Sequence, residues 1–117
     1  MTGRLEAINR KQIKMGLVRE QYELKDPTLI GRGEDRDIRI PVNTISRTHA
    51  KIFWDKESRV WNIIDQGSQN GTVLTDIVVE EGKLLTKTIK LEAGKAYKLK
   101  NWQAIYLAEL PLIFVGG

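Results

Sequence analysis

Apolar and polar residues alternate with a period of two over much of this chain, and almost nowhere with a period near 3.6. Asp37-Ile38-Arg39-Ile40 is a clean case, with both isoleucines on one face. Looser runs occupy 16–24 (GLVREQYEL), 28–32, 49–54 (HAKIFW), 60–65 (VWNIID), 72–75, 77–79, 85–92, 96–100 and 103–110. Turn chemistry separates them: Asp26-Pro27, then GEDR at 33–36, PVN at 41–43, DKES at 55–58, QGSQNG at 66–71, EEG at 80–82, EAG at 92–94 and Lys100-Asn101. About ten short strands at this spacing predict an all-β, antiparallel sandwich or barrel. Residues 5–15 lack strand alternation, and we expect a marginal helix or irregular lead-in over 1–15, with the globular domain over 16–117. Trp54 and Trp61 flank the DKES turn as cross-strand packing partners in a hairpin. Trp102 has no evident role.

At 117 residues the chain is long enough for one core without staples. It has no cysteine, which excludes disulfides, thiolate metal sites and thiol catalysis. No apolar run is long enough for a membrane span, and the first residues lack the apolar segment of a signal peptide. An intracellular protein with no membrane partner is therefore expected. The net charge is +4, but the basic residues are scattered among Asp and Glu, so a solvated surface is favoured over nucleic-acid binding.

The stretch Ile45-Ser46-Arg47-Thr48-His49-Ala50 sets a hydroxyl beside a guanidinium and the chain's only imidazole. Ser46, His49 and Asp65 supply the residue types of a hydrolase. Nothing resembling a nucleophile elbow surrounds Ser46, however, and a strand beginning at His49 would fix that side chain in the sheet while Ser46 stays in the loop. A single histidine without a carboxylate cluster is a poor metal site. Gly31-Arg32-Gly33 is followed by no helix that could hold a pyrophosphate. We therefore expect no enzyme, no metal and no cofactor.

The other reading is a phosphate cradle. The loops after strands 28–32, 37–40 and 60–65 can share one rim of a sandwich, bringing together Arg32, Ser46, Arg47 and Asn70. Arginine gives planar, charge-assisted bonds to phosphate oxygens, a serine hydroxyl adds a short neutral one, and an Asn amide both donates to and accepts from a peptide backbone. Each feature also has a plain alternative: Arg32 paired on the surface with Glu34 or Asp35, and Ser68-Gln69-Asn70-Gly71 as an ordinary turn.

Gly31-Arg32, then Ser46-Arg47-x-His49-Ala50, then Asp65-x-x-Ser68-x-Asn70-Gly71-Thr72 resembles the forkhead-associated (FHA) domain family. The motif core spans 28–74, and 16–27 and 84–110 read as flanking strands. The resemblance implies an FHA/SMAD-like sandwich of about eleven short strands. It implies recognition of phosphothreonine in an extended peptide or protein partner. In that reading Arg32 and Ser46 bind phosphate, Arg47 contacts phosphate or peptide, and Asn70 bonds the peptide main chain. Gln69 and Thr48 line the rim, His49 braces the recognition loop from beneath, and Gly31 and Gly71 meet backbone requirements.

Two departures from the family pattern stand out: Gly94-Lys95 replaces the usual Gly-Asp, and the 75–85 segment is longer than a minimal connection. The IYLAEL ending resembles FHA domains of nuclear DNA-damage checkpoint mediators, which adds a nuclear signalling setting to the expectations. An N-terminal arm carrying Thr2, or the apolar tail LPLIFVGG, offers a route to a homodimer. The alternative function is a phosphate-independent interaction module that uses a sheet face or edge.

Overall fold

Period-two alternation becomes strand at almost every place it occurs in the computed structural model, which describes residues 2–116. In chain order the elements are β1 (Gly3–Ala7), α1 (Arg10–Lys14), β2 (Gln21–Glu23), β3 (Thr28–Gly31), β4 (Ile38–Arg39), β5 (Ala50–Asp55), β6 (Val60–Asp65), β7 (Thr72–Glu80), β8 (Lys83–Lys90), β9 (Ala96–Lys98), β10 (Ala104–Leu107) and β11 (Leu110–Gly116). They build a β-sandwich of two sheets, ordered β2-β1-β11-β10-β7-β8 and β4-β3-β5-β6-β9. No helix among the described residues is long and apolar enough to cross a membrane.

Alternate residues point inward and fill the space between the sheets. Leu5, Ile30, Ile52, Ile63, Ile105 and Leu112 are all fully buried. Trp54 and Trp61 do face each other across the β5–β6 hairpin, with ring centroids 5.6 Å apart in an edge-on arrangement. Strands β3 and β4 run parallel, Ile30 opposite Ile38, and β4 is only two residues long. The 32–37 loop carries the chain back to allow this, so the sandwich is not wholly antiparallel.

Four expectations change. Residues 3–7 are not a lead-in but β1, paired on one side with β11 and on the other with β2. Leu5 alone of that strand is a large core residue, so the local pattern is faint and the pairing comes from its neighbours. The apolar ending is not a free tail: β11 lies between β1 and β10 and buries Leu110, Leu112 and Phe114. Residues 3–7 and 110–116 are thus both held as paired strands within one sheet. Residues 72–75 and 77–79, expected as separate strands, fuse into β7. Finally, 16–24 forms strand only at 21–23, although Val18 still reaches the core.

The long β7–β8 hairpin turns through Glu81 and Gly82, both at positive φ (50° and 76°). That is the two-residue geometry whose twist matches the flanking strands.

Candidate functional site

Three loops meet at one end of the sandwich: β3–β4 (32–37), β4–β5 (40–49) and β6–β7 (66–71). Main-chain bonds bring the first two together. The Arg32 and Gly33 N–H groups donate to the carbonyls of Ser46 (2.9 Å) and Arg47 (3.1 Å). This close approach requires Gly31, because a Cβ there would stand 2.7 Å from the Arg47 carbonyl carbon and collide with its oxygen.

Side chains then tie the second loop to the third. The Ser46 hydroxyl oxygen accepts from the Gln69 N–H at 2.9 Å, and the Asn70 amide donates to the Thr44 carbonyl at 2.8 Å. Beneath them lies His49, fully buried. Its Nδ1 accepts from the Ser46 backbone N–H (3.1 Å), which leaves Nε2 as the protonated nitrogen, donating to the Gly71 carbonyl (2.9 Å). The same carbonyl accepts from the Ala108 N–H. Burial holds the imidazole below its ordinary pKa, against the opposing pull of the Gly71 carbonyl and the Asp65 charge. Both ring nitrogens face backbone, so Ser46 and His49 do not form a nucleophile–base pair in this geometry.

Asp65 organises the third loop. Its carboxylate accepts from the N–H groups of Gly67 and Ser68 (both 3.0 Å), the Ser68 hydroxyl (2.6 Å) and the Thr72 hydroxyl (2.7 Å). Burial alone would raise its pKa, but the Ser68 and Thr72 hydroxyls and the two N–H groups outweigh it and hold the carboxyl below the usual range. Ser68 in turn accepts from the Gly71 N–H, and Gly71 turns the chain at φ 86° into β7.

The predicted residues are therefore gathered on one rim, with different degrees of freedom. The Arg32 side chain is half-buried, and its Nε is tied to the Ile45 carbonyl at 3.0 Å. Among the described residues no carboxylate pairs with it; Asp35 pairs instead with Arg36 at 2.8 Å. Arg47 is exposed and Thr48 half-buried beside it. Ser46 spends an acceptor on Gln69 and keeps its O–H to donate. Asn70 is exposed and keeps its side-chain oxygen and one N–H. Gln69 also lies at the rim, but its backbone N–H is taken by Ser46.

Sequence reasoning gave three contributors no role in the cradle: Asp65 and Ser68, named there only as motif positions, and Arg36. Asp65 and Ser68 hold the loop that presents Asn70, and the Asp-x-x-Ser spacing, in which the aspartate caps the next turns, was the available signal. Arg36 was assigned only to a turn, yet it lines the open cleft with Arg32, Arg47, Glu34 and Asp35.

The FHA domain family model matches residues 28–99. The human angiogenic factor with G patch and FHA domains 1 is 34% identical over 76 residues, 63% of this chain and 11% of that protein. The FHA domain-containing protein FhaA of Mycobacterium tuberculosis is 38% identical over 64 residues, 54% of this chain and 12% of that protein. The matches thus span about a tenth of these relatives' length. Among solved structures, one concerned with phosphothreonine-dependent FHA domain interactions superposes with a TM-score of 0.68 at 22% identity, covering 100% of this chain and 98% of that one. Mycobacterium tuberculosis EmbR in complex with a low-affinity phosphopeptide superposes at 0.69 and 22% identity, covering 99% of this chain and 25% of that one.

Proposed function

Because the chain belongs to the FHA domain family, we propose that its rim binds phosphothreonine in an extended peptide and so recruits a phosphorylated protein. The observation that carries this is the pairing of Arg32 with Ser46. The main chain of one is bonded to the other, the Arg32 guanidinium is restrained through Nε, and the Ser46 hydroxyl keeps its proton for a ligand oxygen. A restrained fork beside a free hydroxyl donor is suited to a phosphate, whose oxygens are acceptors. Arg47 and Arg36 add positive charge at the cleft mouth, and Asn70 offers an acceptor and a donor to the peptide backbone beside the phosphothreonine. Thr48 and the Gln69-Asn70 turn border the place of the threonine methyl.

The two related structures described by phosphothreonine-dependent interaction and by a phosphopeptide complex support the same reading. Relatives in human and Mycobacterium tuberculosis mean that family membership fixes neither compartment nor pathway.

The test is a calorimetric titration of the chain with a phosphothreonine peptide library, then with one selected peptide and its unphosphorylated twin. Binding that depends on phosphate supports the proposal. Equal affinity for the twin would favour a phosphate-independent module instead.

A further inference from the structure

The β7–β8 hairpin ends its sheet, and its outer half is uncovered on both faces. Every residue from Val79 to Lys90 is exposed. Leu84 is 75% exposed, Ile77 73% and Val79 68%, more than isolated surface aliphatics require. The register sets Val79 directly opposite Leu84 and Ile77 opposite Thr86 on the outer face. Leu85 and Ile89 lie on the other face, also open to solvent. The apolar surface continues to Trp102, which is 64% exposed, held at φ 70°, and lines a cleft together with Ile77 and Val78.

Strand β8 is also the end of its sheet, so alternate N–H and C=O groups point away from β7 with no strand among the described residues to receive them. An exposed, long, partly apolar edge is what an added strand pairs with. Its charge selects among candidates. The sequence Lys83-Leu84-Leu85-Thr86-Lys87-Thr88-Ile89-Lys90 carries three lysines and no carboxylate. A second copy would bring three more lysines to an edge strand whose own three are offset only from β7, by Glu80 at 3.9 Å from Lys87 and by Asp76 opposite it. A lipid surface would have to be entered by a turn carrying Glu80 and Glu81. An acidic strand meets neither obstacle.

We infer that β8 is a docking edge for an extended segment of another protein, one with carboxylates opposite Lys83, Lys87 and Lys90 and apolar or β-branched residues between. Cross-strand pairs of opposite charge and of aliphatic side chains are each favourable on a shared face. The edge is independent of the phosphate reading. Strand β7 leaves the rim at Thr72, and the hairpin tip lies roughly 25–30 Å away at 3.3 Å per residue. One partner can therefore occupy rim and edge together, and the second contact then forms at the raised effective concentration of a tethered segment.

The probe is an end-capped octapeptide, Glu-Val-Val-Thr-Glu-Thr-Val-Glu, with a second in which lysine replaces glutamate. Each is titrated into the isotope-labelled full chain while backbone amides are followed by NMR. The acidic peptide is expected to shift the amides of 83–90 and slow their hydrogen exchange, leaving those of 32–49 unchanged. A variant carrying Lys83→Glu, Lys87→Glu and Lys90→Glu, exposed positions that leave the core intact, should bind the acidic peptide about tenfold more weakly and the lysine peptide about tenfold more tightly. Absence of shifts in 83–90, or equal binding of both peptides, would overturn the proposal. So would phosphatidylserine vesicles or a second copy of the chain occupying the hairpin in place of the acidic peptide.

Discussion

The Ser46 backbone N–H donates to Nδ1 of His49 at 3.1 Å, so serine and histidine are joined through the main chain and not through the hydroxyl. This one bond separates their roles. The imidazole is spent on holding two loops, through Ser46 and through the Gly71 carbonyl, and the hydroxyl is turned to the rim.

Substituting each residue separates binding from stability. Ser46→Ala removes a ligand donor and the acceptor of the Gln69 N–H, at a site where water can replace the latter. It should weaken phosphopeptide binding about tenfold while costing about 0.5–1.5 kcal/mol of stability at most. His49→Ala leaves a cavity, an unmet Ser46 N–H and a Gly71 carbonyl reduced to its Ala108 partner, all in a buried position, and should cost about 2–4 kcal/mol. Urea unfolding and peptide titration on both variants check the division. A His49→Ala variant as stable as the parent would overturn the bracing role.

Arg32 tests the phosphate contact. Arg32→Ala should lower phosphopeptide affinity by roughly 1.5–3 kcal/mol, the range of a charge-assisted bond. Arg32→Lys should recover only part, because an ammonium keeps the charge but cannot hold the Ile45 carbonyl and a phosphate as one planar fork. Full affinity in Arg32→Ala, measured by calorimetry on folded protein, would remove Arg32 from the site.

Asp65→Asn asks how far the third loop depends on its hub. The amide keeps one acceptor oxygen and turns a donor toward groups that themselves donate, either the Gly67 and Ser68 N–H groups or the Ser68 and Thr72 hydroxyls. A loss of about 1–3 kcal/mol is expected. Peptide affinity should fall with it, because Asn70 loses its fixed position. Parental stability would show that the cluster is replaceable by water.

Stability should also depend on pH in two windows. The folded pKa of His49 lies below its ordinary value of 6.5, so the unfolded chain takes up a proton first. This contribution is complete above that value and is lost as pH falls through it, with a limiting slope of about 1.4 kcal/mol per pH unit. Asp65 is likewise held below its ordinary 3.8, so its contribution persists above that value and disappears at lower pH. Urea unfolding of the peptide-free protein at pH 8, 6, 5 and 3.5 should show a plateau, a decline below 6.5 and a second decline below 4. A flat profile from pH 8 to 5 would mean that His49 is not buried neutral.

The alternation and turn residues determined the all-β class, most strand positions and the Trp54–Trp61 hairpin, because period-two burial and turn geometry are local properties of the chain. The rim was legible in Gly31-Arg32, Ser46-Arg47 and Asn70-Gly71 because each block carries its own chemistry, whatever surrounds it. Other features were set only by the tertiary structure. Residues 3–7 became β1 through pairing with β11 and β2, since one buried leucine gives almost no pattern. The LPLIFVG segment looked like a loose apolar end, but it became an inner strand when β1 and β10 closed on both its edges. Arg36 joined the cleft, and Ser46 met the Gln69 N–H, because loops distant in sequence were packed at one end. The open edge of β8 follows from where the sheet stops, a boundary that no local pattern of residues encodes.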